Sequence, residues 1–287
     1  MATPLPCSRS LVEADMPDVN CYLREHAENG LLPWRLQVTA ADLFYLSLPM
    51  VEERALELGI LPARYQRNRT TLSIANQLTL FRSSAVVIGC GGLGGYLIEE
   101  LARLGVGRIA VVDPDIFEEH NLNRQILSTV ATLGEPKVAA AARRVAEINP
   151  AVTVTRFQER FCRDNGAAIL KGSDIVMDGL DSIPVRLELA ALCSEMRIPL
   201  VHGAIAGWYG HVASQLPGDD TVARIYQSWH EGKGVEQHLG NPSFTPAVVA
   251  SLEVAEACKI LLGNGSVLTG RKLSIDLLEM EIDEIEL

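Results

Sequence analysis

The sequence lacks paired cysteines. Its six cysteines are dispersed and no two form a C-x-x-C pair, which argues against a zinc ribbon and against a redox-active dithiol. Single cysteines scattered along a chain of 287 residues are typical of a reducing compartment, so we expect most of them to be small buried side chains. They lie at positions 7, 21, 90, 162, 193 and 258.

Positive charge is scarce as well. The formal net charge of −11 argues against non-specific affinity for nucleic acid or anionic membranes. No uncharged apolar stretch reaches the length of a membrane span, and no basic region followed by an apolar run opens the chain, so we expect neither a membrane segment nor a signal peptide. Hydrophobic residues at 48% and charged residues at 21% are typical of a globular protein. The sequence predicts a soluble, cytoplasmic protein with no membrane partner.

The first part of the chain, residues 1–61, reads as a helical extension. A helix is predicted from a capping Thr39 to a terminating Gly59, and Pro49 should kink or split it. Residues 10–30 are a weaker helical candidate. This extension carries no recognisable chemistry, so we expect it to serve packing or dimerisation.

Residues 62–287 alternate strands and helices in the manner of an α/β domain. Buried strands of the parallel type alternate with helices over residues 62–206. Strands with antiparallel alternation and one long helix, capped by Thr245, fill residues 207–287. Within this second part, residues 217–245 are rich in Gly, Pro, Asp and His and predict a long surface loop.

A glycine-rich loop follows the first of these strands. The stretch GCGGLG fits the pattern G-x-G-x-x-G between a strand and a helix, a context that predicts a nucleotide site. Its backbone N–H groups at the helix N terminus would attract phosphate, and Asp113 at the end of the next strand could accept bonds from ribose hydroxyls. The motif leaves open which nucleotide binds, and a tight turn without a ligand is the alternative.

Charged residues downstream bear on the choice of nucleotide. Asn121, Arg124 and Gln125 lie close together, and Lys137 falls in the first turn of a helix, where a cation is unfavourable unless it is exposed or faces an anion. Asp181 follows a buried strand, where a carboxylate could bind Mg²⁺ or simply cap the next helix. Together these residues favour a triphosphate that loses pyrophosphate over NAD, because they can neutralise charge that grows on the leaving group.

In their order and spacing, the motifs RYQRN, GCGGLG, VVDPD, NLNRQ, GEPK, INP and DGLD resemble the ThiF/MoeB/HesA family, bacterial relatives of ubiquitin-activating enzymes. The resemblance runs from about residue 62 to 285. It implies a Rossmann-like, mostly parallel sheet with helices on both faces that continues into antiparallel strands. It also implies a homodimer that uses ATP and Mg²⁺ to adenylate the C-terminal glycine carboxylate of a small ubiquitin-like carrier ending in Gly-Gly.

The resemblance also implies roles for individual residues. Asp181 would bind Mg²⁺, and Arg67 would reach into the phosphate site of the neighbouring subunit, although RYQRNRTTL by itself favours a solvated loop. Catalysis would rest on Arg67, Arg124, Lys137 and Asp181. The nucleotide would contact Gly89, Gly91, Gly92, Asp113, Asp115, Asn121, Arg124, Gln125 and Lys137.

The chain departs from many relatives in two ways. It lacks the two C-x-x-C pairs that hold structural zinc, so no zinc is expected, and no cysteine lies between Cys193 and Cys258. Adenylation without covalent capture is therefore predicted, with a separate sulfurtransferase if sulfur is the end use. The alternatives are activation of a carboxylate on a modified tRNA base, a non-catalytic nucleotide-binding subunit and an NAD oxidoreductase. A metal trio of His211, His230 and His238 is a weaker possibility.

Overall fold

A computed structural model describes residues 18–227 and 239–287. The chain divides into two compact units, one ending at Arg67 and the other beginning at Asn68. The weaker helical candidate over residues 10–30 lies partly outside the described residues, and what is described of it contains one short helix, α1.

The first unit is helical with a minimal parallel sheet. Its elements are α1 (Val19–His26), β1 (Leu31–Leu32), α2 (Trp34–Phe44), α3 (Leu48–Glu57) and β2 (Leu61–Pro62), and β1 pairs with β2. The apolar faces of the three helices enclose a small core.

The helix predicted from Thr39 to Gly59 is split into two helices, as expected. Its start, however, was predicted in the wrong place. Thr39 is wrong as a cap: it lies inside α2, where its hydroxyl donates to the carbonyl of Arg35 at 2.9 Å. The helix begins after Pro33, because proline suits a position where no N–H is needed. Ser47 caps α3 through the backbone N–H of Met50.

The interpretation of RYQRN as a solvated loop is wrong for its first two residues. Tyr65 is buried and its hydroxyl donates to Glu52 at 2.8 Å. Arg64 also contacts the buried Glu52 and donates to Gln37 at 2.8 Å. Arg67, in contrast, is exposed at the end of this unit.

The second unit is built on an eight-stranded sheet within the described residues, in the order β10-β9-β8-β7-β6-β3-β4-β5. Its strands are β3 (Ser84–Ile88), β4 (Arg108–Val112), β5 (Thr153–Phe157), β6 (Ile175–Asp178), β7 (Leu200–Ala206), β8 (Tyr209–Gln215), β9 (Arg271–Asp276) and β10 (Glu281–Glu286). β3 to β7 are parallel, and β8 to β10 continue the sheet in antiparallel order, as predicted.

Helices cover both faces of this sheet. They are α4 (Ile74–Arg82), α5 (Gly92–Leu104), α6 (Lys137–Ile148), α7 (Arg163–Leu170), α8 (Ile183–Met196), α9 (Thr221–Ile225) and α10 (Phe244–Leu262). α5, α6 and α10 contribute to the larger apolar core, and α7 and α8 contribute to the core on the opposite face. The parallel strands thus end at one edge, where an open α/β sheet binds its ligands.

Two local predictions in this unit are corrected. Thr245 does not cap α10, which begins at Phe244; its hydroxyl instead donates to the carbonyl of Gly207 at 2.6 Å. The predicted loop over residues 217–245 contains the short α9, and residues 228–238 within it lie outside the described residues. Throughout the part of the chain that is described, no helix is both long and apolar enough to cross a membrane.

Candidate functional site

The glycine-rich loop joins β3 to α5 in a conformation that glycine permits. Gly89 has a φ of +93°, and its N–H donates to the carbonyl of Val112 at 2.8 Å. A Cβ on Gly89 would lie 2.6 Å from the carbonyl oxygen of Gly179. Gly91 is the N-cap residue of α5 and Gly92 its first residue. Their N–H groups therefore lie at a helix N terminus, which attracts phosphate.

Asp113 ties this loop to the segment after β4. The side chain is buried, and its carboxylate accepts from the N–H of Cys90 at 2.7 Å and of Asp115 at 2.8 Å. Burial raises the pKa of Asp113, while the positive charge of Lys137 and the two backbone donors oppose that shift. A ribose hydroxyl would add one more donor to oxygens that have spare lone pairs.

Lys137 is a buried cation at an unfavourable place. It is the first residue of α6 and only 7% exposed, although the helix dipole and burial both disfavour a positive charge there. Its Nζ lies 3.2 Å from Oδ2 of Asp115, whose side chain is 65% exposed. A solvent-screened carboxylate compensates a buried charge only weakly. The positive charge of Lys137 also acts on the buried carboxylate of Asp113, which is its second acidic neighbour.

Arg124 and Gln125 lie beside the glycine loop. The aliphatic part of Arg124 lies 3.8 Å from the position of a Cβ on Gly92, and its Nη1 donates to Oδ1 of Asn123 at 2.9 Å. Gln125 is buried with its amide nitrogen 3.6 Å from the position of a Cβ on Gly91. Its amide oxygen is buried and has no hydrogen-bond partner among the described residues. Both side chains thus line the loop at van der Waals distance.

Asn121 has a local structural contact. It is buried, and its Oδ1 accepts from the N–H of Glu118 at 2.9 Å, which caps the short 3-10 helix Glu119–Asn121. It borders a smaller cavity of about 370 Å³ that Asp115 and Lys137 also line. The side chain therefore supports the segment that carries Arg124.

Asp181 lies in the loop between β6 and α8. It is exposed, whereas Asp178 at the end of β6 is fully buried. Ser182 is the N-cap residue of α8, but its side chain makes no capping bond. Asp181 therefore presents a carboxylate at the carboxyl end of the sheet.

One cavity of about 940 Å³ brings most of the predicted residues together. Those that line it are Gly89, Gly91, Gly92, Asp113, Asp115, Arg124, Gln125, Lys137 and Asp181. Arg67 belongs to the first unit, and Asn121 borders the smaller cavity. The glycine loop, two cations and an exposed carboxylate thus surround a single space within the second unit.

The fit of a magnesium ion depends on Asp181. Over residues 18–227 and 239–287, no group of three His, Cys, Asp or Glu side chains could hold a metal. Mg²⁺ in nucleotide sites is usually bound by one or two carboxylates together with substrate phosphates. A single exposed carboxylate beside a phosphate-binding loop is compatible with that mode.

The same cavity is also lined by residues that were not predicted as site residues. They are His211, Tyr209, Tyr226 and Arg186. Burial lowers the pKa of His211 well below its usual value, so this histidine is neutral. His211 was considered only as part of a metal trio, and its two proposed companions at 230 and 238 lie outside the described residues.

An acidic side chain on α10 is buried against β7. Glu253 on α10 is fully buried, and neither carboxyl oxygen has a hydrogen-bond partner in the described part of the chain. A Cβ on Gly203 would collide with its carboxyl group. Burial raises the pKa of Glu253 well above its ordinary value, and the negative charge of Asp178 raises it further. Burial therefore favours the protonated form of Glu253 in the folded protein.

Replacing Glu253 with glutamine is expected to flatten the pH dependence of stability. Above the ordinary pKa of glutamate the unfolded chain loses a proton that the folded protein keeps, so wild-type stability falls by about 1.4 kcal/mol per pH unit from this group. The Glu253→Gln variant lacks that loss and gains on wild type as pH rises. Urea unfolding between about pH 5 and 7 measures it. Glu279→Gln, at an exposed position, is the control, and parallel curves for Glu253→Gln and wild type would contradict the assignment.

The mostly parallel sheet, with a glycine loop between β3 and α5 at the carboxyl ends of its strands, defines an α/β protein of the nucleotide-binding class. The chain belongs to the ThiF family, whose family model matches residues 65–287. It is 35% identical over 208 residues to the "SAMP-activating enzyme E1" of Haloferax volcanii, covering 72% of this chain and 77% of that protein. It is 36% identical over 226 residues to the "Sulfur carrier protein adenylyltransferase" of Thermus thermophilus, covering 75% and 83%.

Solved structures agree on the fold. The crystal structure of E. coli MccB superposes with a TM-score of 0.69 at 20% identity, covering 78% of this chain and 69% of that one. The structure of PaaA gives a TM-score of 0.66 at 20% identity, covering 78% and 72%. The predicted family, the α/β fold and the adenylyltransferase class are confirmed by these comparisons.

Proposed function

We propose that this protein adenylates the C-terminal glycine carboxylate of a small ubiquitin-like carrier protein. A carboxylate oxygen attacks the α-phosphorus of ATP, the bond between the α- and β-phosphates breaks, and acyl-adenylate and pyrophosphate result. Membership of the ThiF family supports the reaction class. The name of the Thermus thermophilus relative, a sulfur carrier protein adenylyltransferase, supports the acceptor class.

The observation that carries the proposal is the burial of Lys137 beside the glycine loop. Its charge is disfavoured by burial and by the dipole of α6. The carboxylates near it are the exposed Asp115 and the buried Asp113, which already accepts two backbone N–H bonds. The Lys137 side chain supports binding of a highly charged anion in the cavity that it lines. A dinucleotide exchanging hydride generates no new charge on its phosphates, whereas a departing pyrophosphate does.

The remaining residues would divide the work by position. The N–H groups of Gly91 and Gly92 would bind phosphate oxygens, and Asp113 would accept from the ribose. Arg124 and Lys137 would neutralise the charge that develops on pyrophosphate. Gln125 offers a buried amide oxygen without a partner, which a hydroxyl or amine of the nucleotide could satisfy. Asn121 would keep the Arg124 segment in place, in addition to its predicted role beside the phosphates.

Mg²⁺ would be held by Asp181 together with the phosphates. When bound, it would supply further positive charge to the triphosphate. Asp181 is suited to this because its carboxylate is exposed and makes no cap to α8.

A second copy of the chain is part of the proposal. Exposed apolar side chains flank Arg124 in the sequence, namely Leu122, Ile126, Val130 and Leu133. An interface with a second copy would cover such side chains. In a homodimer, Arg67 would reach the phosphate site of the neighbouring subunit. A separate sulfurtransferase would act afterwards where sulfur is the end use.

The direct test is carrier-dependent exchange of labelled pyrophosphate into ATP. We expect exchange with a ubiquitin-like carrier that ends in Gly-Gly and none with the same carrier lacking its last glycine. Exchange with neither carrier, together with an unfolding temperature that ATP and Mg²⁺ do not raise, would instead indicate a non-catalytic subunit. Binding of tRNA that weakens steeply with salt would indicate the tRNA alternative.

A further inference from the structure

A continuous chain of buried hydrogen bonds lies behind the loop of residues 179–182, which carries Asp181. Nδ1 of His202 lies 2.7 Å from Oδ2 of Asp178, and Nε2 of His202 lies 3.2 Å from the hydroxyl of Tyr226. Nη1 of Arg186 donates to that hydroxyl at 2.8 Å. The chain connects β6, β7, α8 and the residue after α9, and Asp178, His202 and Arg186 are all more than nine-tenths buried.

The direction of each hydrogen bond in the chain follows from its neighbours. A carboxylate only accepts, so Nδ1 of His202 carries the proton that faces Asp178, and Nε2 is left as the acceptor. The hydroxyl of Tyr226 accepts from Arg186 and therefore donates to Nε2 of His202. Nε2 of His211 lies 3.1 Å from the same atom, but that nitrogen has a single lone pair and accepts only one of the two bonds at a time. With Tyr226 as the donor, every bond from Asp178 to Arg186 is compatible with the others, which is required of a buried polar network.

The two charged ends of the chain meet at one residue, Leu180, and hold the peptide units on either side of it. The N–H of Leu180 donates to Oδ1 of Asp178 at 3.0 Å, and the carbonyl of Leu180 accepts from Nη2 of Arg186. Both polar backbone groups of Leu180, the residue immediately before Asp181, are therefore hydrogen-bonded to buried charged side chains.

The guanidinium of Arg186 is engaged with protein atoms. Its Nη1 and Nη2 bond to Tyr226 and Leu180, and its Nε is buried, 3.7 Å from Oδ2 of Asp178. Although Arg186 borders the cavity, its two hydrogen bonds go to Tyr226 and to the loop of residues 179–182, and its buried Nε has no hydrogen-bond partner among the described residues.

We propose that Arg186 is a positioning residue that holds Asp181 in place by fixing the peptide of Leu180, and that Tyr226 and His202 keep Arg186 there. The inference rests on the proposed function in one respect, namely the binding of Mg²⁺ by Asp181. Removal of one member takes away one hydrogen bond and should therefore loosen the loop without unfolding the protein. Tyr226 thereby connects the segment after α9 to the loop that carries Asp181.

The variant that tests the network is Tyr226→Phe, which removes one hydroxyl and keeps the ring. Hydrogen exchange at the Leu180 amide, measured without nucleotide, is expected to quicken by about 5-fold or more, since its opening becomes easier. The Mg²⁺ concentration for half-maximal carrier-dependent exchange should rise by about 3- to 10-fold, and saturating Mg²⁺ should restore most of the rate. Tyr209→Phe is the matched control, because Tyr209 lines the same cavity on β8 and lies outside this chain of bonds.

The outcomes separate this inference from the proposed function. A change in both measurements for Tyr226→Phe, absent from Tyr209→Phe, supports positioning. An unchanged Leu180 amide, or a faster amide with an unchanged Mg²⁺ midpoint, overturns it. If wild-type protein shows no carrier-dependent exchange, the proposed function fails; the Leu180 amide then decides alone whether the network holds the loop.

Discussion

Replacing Lys137 with alanine is expected to slow carrier-dependent pyrophosphate exchange by about 10²-fold or more, the usual scale for one electrostatic partner of a transition state. The expectation follows from where the charge lies: Nζ is buried at the start of α6, inside the cavity that the glycine loop lines. A buried cation interacts more strongly with an anion than an exposed one does, because solvent screens it less. Asp181→Ala should lose a comparable factor if its carboxylate holds Mg²⁺.

The matched control for Lys137 is Lys171→Ala. Lys171 is exposed and ends α7, so its removal lowers the net charge of the protein by the same amount. A rate for Lys137→Ala within a few-fold of wild type would contradict the assignment. The comparison should be made at saturating ATP as well as below it, because a loss confined to low ATP would show that Lys137 binds the ground state and the transition state equally.

The parts of the fold that follow from local patterns were predictable. β3, the glycine loop and α5 were identified because a buried apolar run, a glycine motif and a helix with a terminal glycine are each visible in a few residues. The antiparallel β9 and β10 were likewise visible from their alternation. α4 was missed, although the capping box of Ser73 and Asn76 marks its start. α7 is only eight residues long, too short for a clear helical period.

The residues that were missed at the site, His202, Arg186 and Tyr226, depend on tertiary contacts. Asp178 belongs to the motif DGLD, but nothing adjacent in sequence connects it to these three; β6, β7, α8 and the segment after α9 bring them together. Thr245 shows the same limitation, because its local pattern indicates a helix cap, while the structure gives its hydroxyl to a carbonyl far away in sequence. Arg124 and Lys137 were easier to predict as site residues, because each lies in a family motif of adjacent residues.

The burial of Lys137 also changes how that residue is interpreted. In the sequence alone, a lysine in the first turn of a helix is more often simply solvated. The structure removes that alternative, because the side chain is 8% exposed. The role of Asp113 changes too. Its carboxylate accepts from the N–H of Cys90 in the glycine loop and from the N–H of Asp115, whether or not a ribose is present.

If Arg67 reaches the phosphate site of a neighbouring subunit, as proposed, its replacement with alanine is expected to slow exchange by about 10³-fold, the lower end of the range for arginines that reach a phosphate site. The structure leaves Arg67 exposed at the end of the first unit, without the buried contacts that hold Arg64 and Tyr65. A loss of rate without a loss of stability is therefore expected. A fall in the unfolding temperature that matches the fall in rate would contradict it.

Mixing two inactive variants distinguishes a contribution in trans from one in cis. In a dimer of Arg67→Ala and Lys137→Ala subunits, the site with an intact Lys137 receives an intact Arg67 only if that arginine comes from the partner. Random reassociation of equal amounts makes half of the dimers mixed, each with one complete site, so about a quarter of the wild-type rate should return. No recovery would place Arg67 in its own subunit's site or outside catalysis. Recovery would require the dimer, since neither variant alone contains a complete site.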